Sequence, residues 1–438
     1  MMIEDVQWIR MYRSKMCPLL RSKIIKWYKP VRFTPCFLQK SVKPLSLRFK
    51  KIPVVVQTES VKDMGCSMAT IAKSSGCKLR KDLALINSFS TTVSAKTLEK
   101  LVADNRVKKV WYDSEVRAIL DTAIPTVGSS PLWDKDITGD GVVVAVLDTG
   151  VYDHPDLKGR IIGFVDFIQG KNTTYDDNGH GTHVAGAIAS DGSSSDGKYR
   201  GPAPKSRIVG VKVLNKVGSG SLSGVIEGVQ WCIENQHRFE IRIINLSLGT
   251  ESYSSYKDDP LCAAVEKAWD AGLIVCAAAG NSGPNPRTIN APGIHPKIIT
   301  VGAIDDNKTT TPTDDSVANF SSRGPTPDGY VKPDVMAPGV DIISLVSPRS
   351  LMDKQNKNGR IENWYVSMSG TSMACPICAG VIAQILQSNP RLTPNKVKSL
   401  LLYSCNPLDG VGENEQGTGV ISVTNVLAMD RPDKKVKA

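Results

Sequence analysis

The chain has 438 residues, 41% hydrophobic and 22% charged, with 36 Gly and 26 Pro. That composition excludes a disordered, collagen-like or low-complexity polymer and leaves room for two or three domains with a sizeable core. The net charge of +11 is uneven, because residues 1–50 hold 12 of the 54 basic and only 2 of the 43 acidic residues, so an affinity of the whole protein for nucleic acid is not expected.

Residues 1–50 read as a basic arm carrying Arg10, Arg13, Lys15, Arg21, Lys23, Lys26, Lys29 and Arg32. It is expected to be solvated or loosely docked, or else to meet an acidic surface, a membrane or nucleic acid. Residues 51–117 suggest a small α+β unit. An apolar run at Val54, Val55 and Val56 is followed by a helix-like stretch over 61–73, a period-two segment through Leu85, Asn87, Phe89, Thr91 and Val93, a helix capped by Ser94 and bearing Leu98, Leu101 and Val102, and a strand over 107–112. Residues 118–137, with Pro125, Gly128, Ser129, Ser130 and Pro131, predict an exposed linker.

A larger domain is expected over 138–425, followed by a polar tail over 426–438. Its short, nearly continuous apolar runs are Val142–Leu147, Ile208–Leu214, Ile243–Leu248, Leu273–Ala279 and Ile298–Ile304. Alternating with helical stretches, they predict an α/β fold: a doubly wound, mostly parallel sheet with helices on both faces. Pro260 and Gly272 bracket one such helix, with Leu261, Ala264, Val265, Ala268 and Trp269 on its apolar face. No stretch approaches the roughly 18 uninterrupted apolar residues of a membrane span, and the first 30 residues show no compact apolar segment behind a basic start, so no secretory signal is expected. Ten irregularly spaced cysteines then suit reduced thiols in the cytoplasm.

Chemistry is expected where strands end in polar residues and glycine. Asp148 follows a buried-looking strand, His180 opens a helix in Asn178-Gly179-His180-Gly181-Thr182-His183, and Ser372 sits in a glycine turn entering an apolar helix. A serine hydroxyl becomes nucleophilic when an imidazole takes its proton, and a carboxylate fixes the tautomer of that imidazole. The backbone N–H of Ser372 and the side-chain amide of Asn281 could stabilise a developing oxyanion. Taken singly, each of these residues is more often a turn or cap; their joint occurrence is the signal.

The blocks Val146-Leu147-Asp148-Thr149-Gly150, His180-Gly181-Thr182-His183-Val184-Ala185-Gly186, Ala279-Gly280-Asn281-Ser282-Gly283 and Gly370-Thr371-Ser372-Met373-Ala374 resemble, in order, the motifs of the subtilisin-like serine proteases, the subtilases. The likeness covers about residues 130–425, and within the family it looks closest to the AprX-like bacterial subtilases. It implies a serine endopeptidase of broad specificity working through an acyl-enzyme, with Asp148 orienting the imidazole, His180 as base and then acid, Ser372 as nucleophile, and Asn281 in the oxyanion hole. It further implies that Gly218-Ser219-Gly220 and Ser247-Leu248-Gly249 are backbone edges for an extended peptide. Leu222 would line an outer subsite, and Ile289, Asn290 and Ala291 would border the primary pocket. The unit at 51–117 resembles the family's propeptide, which implies a zymogen that cuts itself within residues 113–128. The partners implied are protein or peptide substrates and the chain's own propeptide, with no specific nucleic acid and no membrane span.

The chemistry requires no cofactor. Asp156 falls where relatives place a calcium ligand, so the resemblance allows a structural calcium, although the stretch at 190–197 departs from the family's calcium loop. Cys375 and Cys378 form a lone C-x-x-C that reads as two packed core residues. His183 is expected to be packed; His154, His237 and His295 are expected to be structural or exposed. A second Asp-Thr-Gly is missing, which removes an aspartic-protease reading, and His180-x-x-His183 lacks the spacing and the glutamate of a zinc hydrolase. The rival outside enzymes is a catalytically inactive scaffold that only binds peptides.

Overall fold

The computed structural model describes residues 7–28, 50–59, 67–113, 115–118, 127, 129–307, 314–356, 360–361 and 363–429. The expected polar tail beyond 429 and much of the expected linker lie outside them. The chain divides into two compact units, the first ending at Ser114 and the second beginning at Glu115.

The first unit is a four-stranded antiparallel sheet in the order β2-β3-β1-β4, built from β1 (Ile52–Thr58), β2 (Lys81–Leu83), β3 (Ser88–Val93) and β4 (Val107–Tyr112). Its central strand reads as a continuous apolar run because Val54, Val55 and Val56 are all buried. Part of the basic arm is built into this unit rather than solvated. Met16 bridges Val110 and the Cys17 N–H donates to the Val110 carbonyl at 3.1 Å. The following helix α2 (Pro18–Trp27), after the short α1 (Gln7–Met11), buries Leu20 and Ile24 completely. Pro18 at the first helical position and an i, i+4 apolar pair explain why this piece folds. Helices α3 (Met68–Ser75) and α4 (Ala95–Ala103) complete the unit, with Ser94 capping α4 as expected.

The second unit has the expected α/β architecture. An eight-stranded sheet runs β14-β13-β12-β10-β6-β8-β7, with β15 also on β13; only β14 is antiparallel. The strands are β6 (Val143–Asp148), β7 (Ile161–Asp166), β8 (Arg207–Lys212), β10 (Ile241–Leu246), β12 (Ile274–Ala278), β13 (Ile299–Asp305), β14 (Ser316–Val317) and β15 (Val335–Pro338). All five apolar runs of the sequence became strands. After β6 the chain adds β7 and β8 on one side and then crosses to β10 on the other, so the strand order reverses around β6 and opens a crevice at its carboxyl end. Four helices matter for the site: α5 (His180–Ala189), α6 (Leu222–Glu234), α7 (Pro260–Asp270) and α8 (Thr371–Ser388). Helix α8 is long and apolar enough to cross a membrane by composition, but it is buried in the core against β10, β12, β13 and β15 and packs along α5.

Candidate active site

Strand β6 delivers Asp148 to the crevice, and α5 begins at His180. Both side chains are fully buried, and Asp148 Oδ1 lies 2.7 Å from His180 Nδ1 while accepting the Thr149 N–H at 2.7 Å. A carboxylate can only accept here, so the proton sits on Nδ1 and Nε2 is left as the basic nitrogen. Nε2 is buried and has no hydrogen-bond partner. The approach of α5 to this turn depends on Gly181, where a Cβ would stand 2.1 Å from the Gly150 carbonyl oxygen and 3.1 Å from Asp148 Cβ.

A second carboxylate, not singled out from the sequence, clasps the two loops together. Asp176 Oδ1 accepts from Thr149 Oγ1 (2.9 Å), Asn178 N–H (3.1 Å) and Gly179 N–H (2.8 Å); Oδ2 accepts from Thr182 N–H (2.9 Å) and Thr182 Oγ1 (2.7 Å). Thr149 Oγ1 in turn accepts the Gly181 N–H at 2.9 Å. The turn after Asp148 and the helix start carrying His180 are therefore tied to one buried group. Burial pushes the Asp176 carboxyl above its usual pKa, and the backbone donors, Thr182 and the Lys212 ammonium offset part of that rise. Lys212 is itself buried, 2.8 Å from Asp177 and bonded to the carbonyls of Thr149 and Leu214.

The other half of the site is built on α8. Asn281 follows β12, and its Oδ1 accepts from Thr371 N–H (2.9 Å) and Thr371 Oγ1 (3.0 Å). A backbone N–H can only donate, so the amide orientation is fixed and Nδ2 is the free donor. That Nδ2 is buried without a partner, and Thr371, which holds the amide, immediately precedes Ser372. Ser372 is buried in the first turn of α8, with Oγ 3.6 Å from Met373 Sδ.

The two expected peptide edges do flank an extended segment, and it belongs to this chain. Strand β5 (Glu115–Ala118) runs antiparallel between β9 (Ser219–Ser221) and β11 (Leu248–Gly249). Val116 pairs with Gly220, Arg117 with both Ser219 and Gly249, and Ala118 with Leu248. Residues expected to close the small domain and start a linker are thus a strand of the larger unit. Gly218 precedes β9. Leu222, where α6 starts, is buried, and so is Ser247, which accepts from Asn245 Nδ2 at 2.9 Å. Ile289 and Ala291 join Cys262, Ala279 and Ile294 in a buried apolar cluster, and between them the Asn290 N–H donates to the Ala279 carbonyl.

The remaining candidates are structural. His183 is buried between the carbonyls of Ile342 (3.0 Å) and Val366 (3.2 Å), and desolvation pushes its pKa down to about 3. Cys375 and Cys378 are buried in α8. His154 Nδ1 accepts the Asp156 N–H and Nε2 donates to the Trp364 carbonyl, His295 is buried, and His237 is exposed. The oxygens of Asp156 are engaged by protein groups: Ser194 N–H (2.9 Å), Ser193 Oγ (3.3 Å), Ser190 Oγ (2.9 Å) and Tyr365 OH (2.6 Å). No group of three or more His, Cys, Asp or Glu suited to a metal occurs among the described residues.

Residues 139–419 match the model of the subtilase family. The chain is a subtilase. The serine protease AprX of Bacillus subtilis is 47% identical over 431 residues, covering 96% of this chain and 98% of that protein. The thermostable alkaline protease of Halalkalibacterium halodurans is 34% identical over 351 residues, covering 80% and 84%. In fold, the subtilase resembles fervidolysin from Fervidobacterium pennivorans with a TM-score of 0.71 at 24% identity, over 86% of this chain and 61% of that one. This subtilase is therefore a serine protease, a hydrolase acting on proteins.

Proposed function

We propose that this subtilase is an endopeptidase made as a self-processing zymogen. The observation that carries the reading is strand β5, a peptide segment already paired on both sides in the cleft of the unit that holds Ser372. In the proposed reaction His180 Nε2 takes the Ser372 proton as Oγ bonds to the substrate carbonyl carbon. Asn281 Nδ2 and the Ser372 N–H hold the oxyanion, and Asp148 stabilises the imidazolium. The C–N bond then breaks, the amine leaves with the proton from His180, and water repeats the sequence on the acyl-enzyme. Main-chain pairing along both edges favours broad specificity. The apolar cluster around Ile289 and Ala291 suits uncharged residues in the primary pocket.

Strand β5 advances from Glu115 toward Ala118, opposite Leu248. Continuing past Leu248, that direction meets Ser247, which contacts Cys375, one helical turn beyond Ser372. Self-cleavage therefore falls after Ala118, within residues 119–128. The chemistry uses no cofactor, and with Asp156 engaged by donors we propose no calcium there. Among the described residues eight cysteines are free, six of them buried, which suits a reducing compartment and supports the cytoplasm as the location.

Intact mass spectrometry of wild type and Ser372→Ala tests this reading. The wild type should lose its first 119–128 residues, while the variant stays whole and unlabelled by a serine-directed phosphonate. Identical shortening of both would refute self-processing, and failure of the wild type to react with the phosphonate would favour the inactive scaffold.

A further inference from the structure

From Val6 to Thr58 the sequence contains thirteen Lys and Arg and not one Asp or Glu. Helices α1 and α2 and the short 3-10 turn between them (Arg13–Lys15) turn one side of this acid-free stretch inward and leave the other in water. On the inner side Leu20 and Ile24 are buried, Lys15 donates to the Asp104 carbonyl at 2.8 Å, and Lys23 sits over the Tyr112 ring. On the outer side Arg10, Arg13 and Lys26 are exposed. Interleaved with them are three of the chain's exposed large apolar side chains: Met11 (67% exposed), Leu19 (49%) and Ile25 (42%).

We propose that this outer face of α1 and α2 docks on an anionic phospholipid bilayer. The cations supply attraction to any polyanion, so charge alone does not select the partner. Met11, Leu19 and Ile25 do. They gain by leaving water for the boundary between headgroups and acyl chains, whereas a nucleic-acid phosphate backbone offers them nothing. Arg and Lys on the same face keep their charged ends among lipid phosphates while their methylene stems cover apolar surface. Because self-cleavage after Ala118 would cut the chain between this face and the catalytic residues, only the uncut form tethers those residues covalently to the membrane; that corollary alone rests on the proposed function.

The test uses the full chain carrying Ser372→Ala, which keeps it uncut whether or not processing occurs. It is pelleted with phosphatidylcholine vesicles containing roughly 30% phosphatidylglycerol, with pure phosphatidylcholine as reference. Binding is expected only to the anionic vesicles. Adding Arg10→Gln, Arg13→Gln and Lys26→Gln should weaken it about a hundred-fold, from about five-fold per charge. Met11→Ser, Leu19→Ser and Ile25→Ser together should weaken it at least about ten-fold with the charges intact. All six positions are exposed, and unchanged thermal unfolding would show that the variants remain folded. No pelleting with anionic vesicles overturns the proposal. So does pelleting that the serine variants leave unchanged, since that marks a merely electrostatic contact. Tighter binding to a polyuridine RNA than to the vesicles would assign the face to nucleic acid instead.

Discussion

Two buried aspartates in the larger unit, Asp176 and Asp156, each accept four or five hydrogen bonds, yet their surroundings differ in a way that decides what each can tolerate. Every oxygen of Asp176 faces at least one backbone N–H, a group that only donates. Asp156 meets a backbone N–H on Oδ1 alone, and its Oδ2 is held by the hydroxyls of Ser190 and Tyr365, which can turn and accept. Asp176 therefore demands a full carboxylate, while Asp156 sits in a site where an amide fits in one orientation. The lesson is that the rigidity of a polar site is set by how many of its partners can reverse roles, more than by their number.

The sharpest way to break this comparison is Asp176→Asn. Either amide orientation sets an NH2 against a backbone N–H, so the Thr149 turn and the start of α5 should separate. We expect kcat/KM to fall about a hundred-fold with KM little changed, the loss typical of misplacing reacting groups by about 1 Å. Peptidase kinetics checks this, and a loss under three-fold would show that Asp148 and His180 hold their places without the clasp.

Asp156→Asn should leave kcat/KM within about two-fold and lower stability by about 1–2 kcal/mol in urea unfolding. Its pH dependence is distinctive. Burial raises the Asp156 carboxyl, but the hydrogen bonds from Ser194, Tyr365 and Ser190 outweigh burial and leave its pKa below the ordinary 3.8. A depressed carboxyl contributes stability that is complete above the unfolded value and is lost as pH falls through the folded one. The wild type should therefore lose this contribution below about pH 4, and the Asn variant should show a shallower decline. An identical acid limb in both would remove Asp156 from the account.

The smallest expected effect is that of EDTA. With donors filling the Asp156 oxygens, the chelator should move the unfolding midpoint by less than about 1 °C, since a bound ion well above its Kd would add several kcal/mol. A drop of several degrees, restored by calcium, would return a metal to the molecule.

Much of the site was legible as sequence because its residues sit at strand ends and helix starts, where glycine and small polar neighbours punctuate the chain. Asp148, His180, Asn281 and Ser372 all stand in such blocks. Asp176 does not announce itself: an aspartate shortly before Asn178-Gly179 reads as a turn former, and only the convergence of five donors from separate loops gives it another role. The basic arm is hard to read for the opposite reason. Charge dominates its composition, while the Leu20 and Ile24 pair, the Pro18 helix start and the Cys17 contact with β4 carry its structure.

The order of apolar runs alone determined the parallel sheet, since a strand buried on both faces must be apolar throughout and each run must be returned by a helix. The motif blocks by themselves determined the family. Tertiary structure decided what lies between the two peptide edges, which carboxylate clasps the Asp148 and His180 loops, and which donors surround Asp156. Those outcomes depend on which donors arrive from distant segments, and hydrogen bonding between residues far apart in the chain leaves no local trace in composition or spacing.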